Sequence, residues 1–462
     1  GGTVVAAVSS DRVSPRPPEA TESVREANGR VTSDDIRVTT VSGHETASPG
    51  TFSAPAIPGS DSPIASPQTV SSSLRTAVWR GETHIAASCV HGCPGECRFA
   101  ASSAGGDTSF PTAKIYGFFQ TDAVWFSQSG NSIATIGDVQ DGADFRRARL
   151  GASGNVADNV SYGIEFDFAF PGRPSFMDVQ MTIERLPVIG DLRIGQWRQP
   201  LGMDPLTSVR ELTFLERALP FAFVPFRQIG VGLLDVTESE LTTWAISVVR
   251  FPTDVYGGNV GDDGGYSLIT RATALLLDDE NGGPTFHLGG GFAFIEPSNN
   301  ASRFAARPEI FVSEVPGALV PPGVPSFVPP FVDTRFIPTV DYRVFNTEVA
   351  TVWGPWHTQA EWYVTTVNRI GGANVTFHGA YAQVGYLLTG ERRPYNRSAG
   401  VLGRVTPRRN FGHAGPGAWE VALRGSTLDL DNRDIRGGRL TDITAGLNWY
   451  LNRNAKGQFN YI

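Results

Sequence analysis

The residues best equipped for chemistry are arginines and carboxylates in short clusters: Arg146, Arg147 and Arg149, then Glu165 and Asp167, then Arg210 and Arg217 with Glu211 and Glu216, and Glu361 and Glu420 further on. Glu165 and Asp167 stand two apart, which places both on one face of a strand, the arrangement a paired-carboxylate acid–base site would need. Rings of fixed charge on strand faces also line water-filled channels and set their ion preference. The second use fits better, because nothing else for a reaction is present. There is no nucleophile elbow, P-loop, His-Glu-x-x-His or dinucleotide glycine fingerprint. The seven histidines are scattered, with no two at a ligand spacing. Cys89, Cys93 and Cys97, with His91 among them, match no common zinc pattern and leave an odd thiol. No reaction, cofactor or metal is therefore expected.

The elements that must position these charges are short strands, about fifteen between Lys114 and Ile462. In the run from Trp356 to Val364, Trp356, Ala360, Trp362 and Val364 alternate with His357, Gln359 and Glu361. One face is oily and the other hydrogen-bonding. Ile443, Ala445, Leu447 and Trp449 alternate in the same way with Thr444, Gly446, Asn448 and Tyr450, and Tyr162, Ile164, Phe166 and Phe168 with Ser161, Gly163, Glu165 and Asp167. No stretch is long and apolar enough for a membrane helix, so a membrane reading requires a closed barrel. Trp125, Trp353, Trp356, Trp362, Tyr386, Trp419, Trp449 and Tyr450 are expected near strand ends, where a bilayer interface would hold them. The same alternation could also build a soluble β-sandwich, whose apolar faces would meet a second sheet.

Expected strands are 114–126, 144–154, 160–170, 176–185, 191–199, 228–235, 241–250, 266–277 and 286–295. They continue with 341–353, 356–367, 376–389, 417–428, 439–451 and 456–462. Short connections fall at one end and longer ones, 251–265, 296–340 and 429–438, at the other, as periplasmic turns and extracellular loops do. The connection 390–416 breaks this rule by lying at the turn end. An even strand number is usual, so the stop at Tyr461-Ile462 leads to the expectation that a sixteenth, C-terminal strand is missing. Residues 1–112, rich in Ser, Ala, Thr, Pro and Gly, are expected to be a disordered low-complexity leader, and 113–462 the barrel. Leu212, Leu215 and Leu219, three and four apart before Pro220, predict a short helix over 207–220.

The formal net charge of -8 argues against nucleic acid as a partner. Lys114 and Lys456 are the only lysines, so positive charge rests almost wholly on arginine, whose planar fork suits carboxylate and phosphate oxygens.

In the order Phe145 to Gly151, Tyr162 to Phe168, Arg193 to Trp197, Thr207-Ser208 with Leu215 to Leu219, Leu388 to Glu391 and Gly446 to Tyr450, the chain resembles the phosphate-selective porin O and P family of Gram-negative outer membranes. The resemblance covers roughly residues 113–462. It implies an all-β, antiparallel transmembrane β-barrel of the sixteen-stranded porin type, a trimer in the bacterial outer membrane, with residues 207–219 folded into the lumen. Two departures matter. Asp204-Pro205 stands where phosphate-selective members carry a constriction lysine, and Phe118 matches their first-strand arginine.

The expected function is passive diffusion of small hydrophilic solutes, weakly favouring anions, with phosphate or other oxyanions among them. Arg146, Arg147, Arg149, Arg210, Arg217, Glu165, Asp167 and Glu361 are the expected pore-lining and constriction residues, and outer-membrane lipid and a homotrimer the expected partners. The competing reading is a soluble β-rich glycan-binding or adhesion protein.

Overall fold

A computed structural model describes the backbone of Gly2–Ser9 and residues 110–169, 174–261, 264–278, 283–311, 328–412 and 415–462. These belong to one compact unit, Gly1–Arg12 with His84–Ile462; a second, Val13–Thr83, lies outside the described residues, as do the three cysteines. The expectation for the leader falls outside them too, apart from residues 110–112 and a first strand, β1 (Gly2–Ser9).

The wall is a run of antiparallel neighbours, each strand paired with the next in sequence. They are β2 (Lys114–Ser127), β3 (Gly142–Ala157), β4 (Val160–Asp167), β5 (Ser175–Leu186), β6 (Gly190–Arg198), β7 (Arg227–Val236), β8 (Thr242–Arg250) and β9 (Tyr266–Asp278). β10 (Thr285–Ile295), β11 (Ile337–Trp353), β12 (Trp356–Arg369), β13 (Val375–Leu387), β14 (Ala418–Asn432), β15 (Ile435–Tyr450) and β16 (Lys456–Tyr461) complete it. The pairing from β2 to β16 never skips a strand. At the seam β1 runs parallel to both neighbours, with Gly2 opposite Gln120 and Val4 opposite Gln458. Every strand expected from the sequence is present, with its ends within about four residues.

The apolar face of the wall is the exposed one. Ile443 is 68% accessible, Ile115 65% and Phe119 52%, whereas Glu420, Arg424 and Ser426 on the other face of β14 are buried. A soluble sandwich would reverse this, so the sheet is a membrane wall with lipid outside. Trp356 and Trp362 point outward and His357, Gln359 and Glu361 inward, as expected. Tyr450 departs from the aromatic belt: it faces inward and donates to Glu420 Oε2 at 2.6 Å.

Two expectations about connections are corrected. Residues 429–438 form no long loop. β14 and β15 stay paired as far as Asn432 opposite Ile435, leaving a two-residue turn at Arg433 and Asp434, whose carboxylate meets Arg369 at 2.6 Å. Residues 207–218 form no helix either. The regular pieces nearby are a four-residue turn of helix, α1 (Met203–Leu206), and a 3₁₀ turn, Leu219–Phe223. The leucine spacing reflects separate contacts inside the barrel, with Leu215 beside Val124 and Ile310 and Leu219 beside Phe223 and Phe377, while wall side chains rather than helical amides take the carbonyls of Leu212, Thr213 and Glu216.

Candidate channel constriction

The connection between β6 and β7, residues 199–226, turns into the barrel and crosses to the far wall. Gly202 makes the entry: its φ of +83° is left-handed, and a Cβ there would overlap the Tyr363 hydroxyl. Glu361 on β12 accepts from the Asp204 amide at 2.6 Å and from the hydroxyls of Tyr363 and Tyr381 at 2.5 and 2.8 Å, pinning the start of α1. Burial pushes the Asp204 carboxyl up, with Arg217 and Arg424 pulling it back. Arg217 donates from Nε to the Asp204 carbonyl at 3.0 Å and from Nη2 to those of Pro205 and Thr207 at 3.1 and 2.8 Å. Further on, Asn448 and Gln458 donate to the Thr213 carbonyl at 2.8 and 3.0 Å, Lys456 Nζ to that of Leu212 at 2.9 Å, and Arg424 to that of Glu216 at 3.1 Å. The carbonyls of Leu212, Thr213 and Glu216 lack helical partners, and side chains of β14, β15 and β16 take them, two charged (Arg424 and Lys456) and two neutral amides (Asn448 and Gln458).

A β-bulge sets the arginines. Gln120 on β2 pairs with Arg147 but Thr121 with Phe145, so Arg146 is an extra residue on β3. Alternation alone would put Arg146 on the lipid face. The bulge turns it inward beside Arg147, and Phe145 takes the outside. Both guanidiniums reach Glu216 of the loop, Arg146 Nε at 2.6 Å and Arg147 Nη2 at 3.1 Å. Burial alone would raise the Glu216 carboxyl; Arg146 and Arg147 outweigh it and hold it down at about 2. Arg147 also donates to Gln120 at 2.7 Å.

Two other segments enter. The loop between β10 and β11 brings Glu309 to Arg424, whose Nε donates to it at 2.9 Å, and brings Phe304 against Phe223 at 5.4 Å. From the turn end, 388–417 rises inside: Arg393 bonds Thr213 and the Glu211 carbonyl, Arg404 meets Glu211 at 3.3 Å, and Val401 and Leu402 pack on Met203. Leu201, Leu219 and Phe223 join inward Ile269, Ile295, Val344 and Phe377 in one apolar core. The lumen along β9–β14 is thus largely filled.

The side of β2–β7 stays open. A cavity of about 360 Å³ there is lined by Lys114, Arg149, Arg198, Arg210, Arg217 and Arg227, against Glu165 and Asp178, with Tyr116 and Phe118 on its wall. Arg149 pairs with Asp167 at 2.7 Å and Glu165 at 3.3 Å, and Asp178 with Arg227 at 2.8 Å and Arg198 at 3.9 Å. Arg210 stacks over Phe118 at 5.3 Å. Among the described residues, no carboxylate lies within ion-pair distance of Lys114 or Arg210.

The structure thus gathers Arg149, Arg210, Arg217 and Glu165 at the cavity and Arg146 and Arg147 at the loop contact beside it. Glu361 and Asp167 are buried in contacts rather than wet, and Arg217, though it borders the cavity, is a clamp on the loop backbone. Sequence reasoning missed Lys114, Asp178, Arg198 and Arg227. Lysine scarcity was the available signal, since both lysines of the chain face the lumen.

The family model for phosphate-selective porin O and P matches residues 114–262 and 331–462. An uncharacterised protein of Caulobacter vibrioides is 27% identical over 339 residues, covering 69% of this chain and 62% of that protein. Porin O of Pseudomonas aeruginosa is 22% identical over 372 residues, covering 76% of this chain and 82% of its own length. Among solved structures, the outer membrane protein OmpT of Vibrio cholerae in its trimer form aligns at 11% identity, covering 73% of this chain and 82% of that one, with a TM-score of 0.39. A porin structure aligns at 12%, covering 67% and 84%, with a TM-score of 0.34. The family match spans more than half the chain, and the chain belongs to the phosphate-selective porin O and P family.

Proposed function

We propose that this protein is a passive diffusion channel of the bacterial outer membrane that weakly favours small anions, phosphate and other oxyanions among them, and that it assembles as a homotrimer. One observation carries the anion preference: the water-filled side of the lumen holds six cationic side chains against two carboxylates among its lining residues. Arg149, Arg198 and Arg227 are paired with carboxylates and cancel much of their own field, and Arg217 is held on the loop carbonyls beside the Asp204 carboxyl, which leaves Lys114 and Arg210 as the main source. With Asp204-Pro205 buried where a constriction lysine would stand, no tight phosphate site is expected.

Reconstitution into a planar bilayer with a salt gradient tests this. The reversal potential should lie on the anion side at low salt and fade toward zero near 1 M, where the Debye length is about 3 Å. Lys114→Gln with Arg210→Gln should remove most of the preference and keep conductance of the same order. A reversal potential unmoved by that pair of substitutions, or block of chloride current by micromolar phosphate, would overturn the reading.

A further inference from the structure

We infer that the turn end of the barrel carries a binding surface for an anionic phospholipid, confined to the sector from β11 to β16. The inference rests on the chain being a membrane-inserted barrel. Across this sector the outward aromatics are continuous. Trp353 pairs with Trp356 across the β11–β12 turn, Trp356 packs on Tyr386 at 4.5 Å, and Trp419 stacks on Trp449 at 5.1 Å. Phe411, from the 388–417 segment, closes the row edge-on against Trp449 at 4.8 Å, and its amide donates to Leu451 at 2.8 Å. Trp353 is 71% accessible and Phe411 51%, so the row has no partner within the described residues.

Charge at the turn end is divided between two halves. Beside the aromatic row stand exposed Arg408, Arg409 and Arg453, while Glu391, in the same turns, is buried and accepts from the Arg408 amide at 3.0 Å. Among the described residues, the turns from β3 to β10 instead expose Asp158, Asp235, Glu238 and Glu240 against one arginine, Arg185, which donates to the Asp158 carbonyl at 2.8 Å. Aromatic rings settle at headgroup depth, and arginine recognises phosphate oxygens with two donors at once. Among the described residues, only the β11–β16 half sets a continuous aromatic row beside a cluster of arginines, and the net acidic half repels the same headgroup. Arg409 precedes Phe411 by two residues and Arg453 follows Leu451 by two, so both flank the backbone bond from Phe411 to Leu451. A lipid with a negatively charged phosphate headgroup fits this half: acyl chains against Trp356 and Trp419, phosphate toward the arginines.

Native mass spectrometry of the full chain in detergent, titrated with phosphatidylglycerol and with phosphatidylcholine of the same acyl chains, tests it. Each arginine near the surface should strengthen anionic lipid binding about fivefold at low salt. Phosphatidylglycerol should therefore bind at least about tenfold more tightly, and Arg408→Gln, Arg409→Gln and Arg453→Gln together should bring the two lipids within about twofold. If that variant does not fold, Arg409→Gln alone should lower the ratio about fivefold. Asp235→Asn with Glu238→Gln should leave it unchanged. Equal binding of the two lipids by the unmodified protein, or a ratio that survives loss of the arginines, overturns the inference. Near-complete disulfide linkage of two copies through Arg409→Cys and Asp235→Cys would overturn it too, by assigning the surface to a subunit contact. Failure to retain either lipid would instead count against membrane insertion itself.

Discussion

Replacing Glu216 by Gln removes the carboxylate that Arg146 and Arg147 share, at the point where the inward loop meets the bulge on β3. The carboxyl lies at about 2 rather than 4.5, which corresponds to about 3 kcal/mol of stability at neutral pH. Because the folded value is depressed, this contribution is complete above about pH 4.5 and is lost as pH falls toward 2. Glu216→Gln should thus unfold about 3 kcal/mol more easily than the parent at pH 7 in guanidinium titrations in detergent, and the gap should close near pH 2. Two guanidiniums left without their shared counter-charge should also move the reversal potential further to the anion side. Adding Arg146→Gln should restore part of both properties, since it removes the repulsion that the first change exposes. Equal stability of parent and Glu216→Gln at pH 7, or a reversal potential unmoved by the substitution, would refute the assignment of Glu216 as the neutralising group.

Arg217→Lys keeps the charge but cannot reach three carbonyls from one planar head, and should cost about 2–4 kcal/mol while raising single-channel conductance. Arg at Ala360, on the lipid face of β12, should cost about 2–4 kcal/mol if it lies near the midplane, measured by unfolding in lipid vesicles. With Cys89, Cys93 and Cys97 replaced by Ser, Arg210→Cys should react quickly with a water-soluble thiol reagent and Gln359→Cys slowly, because Gln359 lies under the loop; equal rates would contradict the filled half of the lumen. Gly446→Val should displace Phe214, which stands 3.0 Å from where a Cβ would be, and change conductance without altering the wall strands.

The wall was legible because its code is local: each residue is read against the one two positions away, as with Trp356 and Trp362 against His357 and Glu361. The constriction was not, for three physical reasons. Leu212, Leu215 and Leu219 imitate a helical stripe, yet their spacing answers to different parts of a surrounding wall. The bulge that turns Arg146 inward leaves no mark in composition or period. Lys114, Asp178, Arg198 and Arg227 come from β2, β5, β6 and the start of β7, so they become neighbours only through pairing of the whole sheet. Glu361 and Asp167 were placed on the correct face, but which lumenal positions stay wet depends on where three inward segments settle.

The loop between β6 and β7 has a consequence for biogenesis. Between Leu212 and Arg217 it makes no backbone bond within itself among the described residues, and its carbonyls are held by Arg424, Asn448, Lys456 and Gln458. Those partners lie 208 to 246 positions further along the sequence, on β14, β15 and β16. Its shape is therefore borrowed from strands that must already be paired, and closing contacts of such separation comes late. A nascent barrel should pass through a wide-bore stage before the loop locks, during which molecules too large for the mature channel would cross it. Machinery that shields or times this last step would guard the cell against transient leakage.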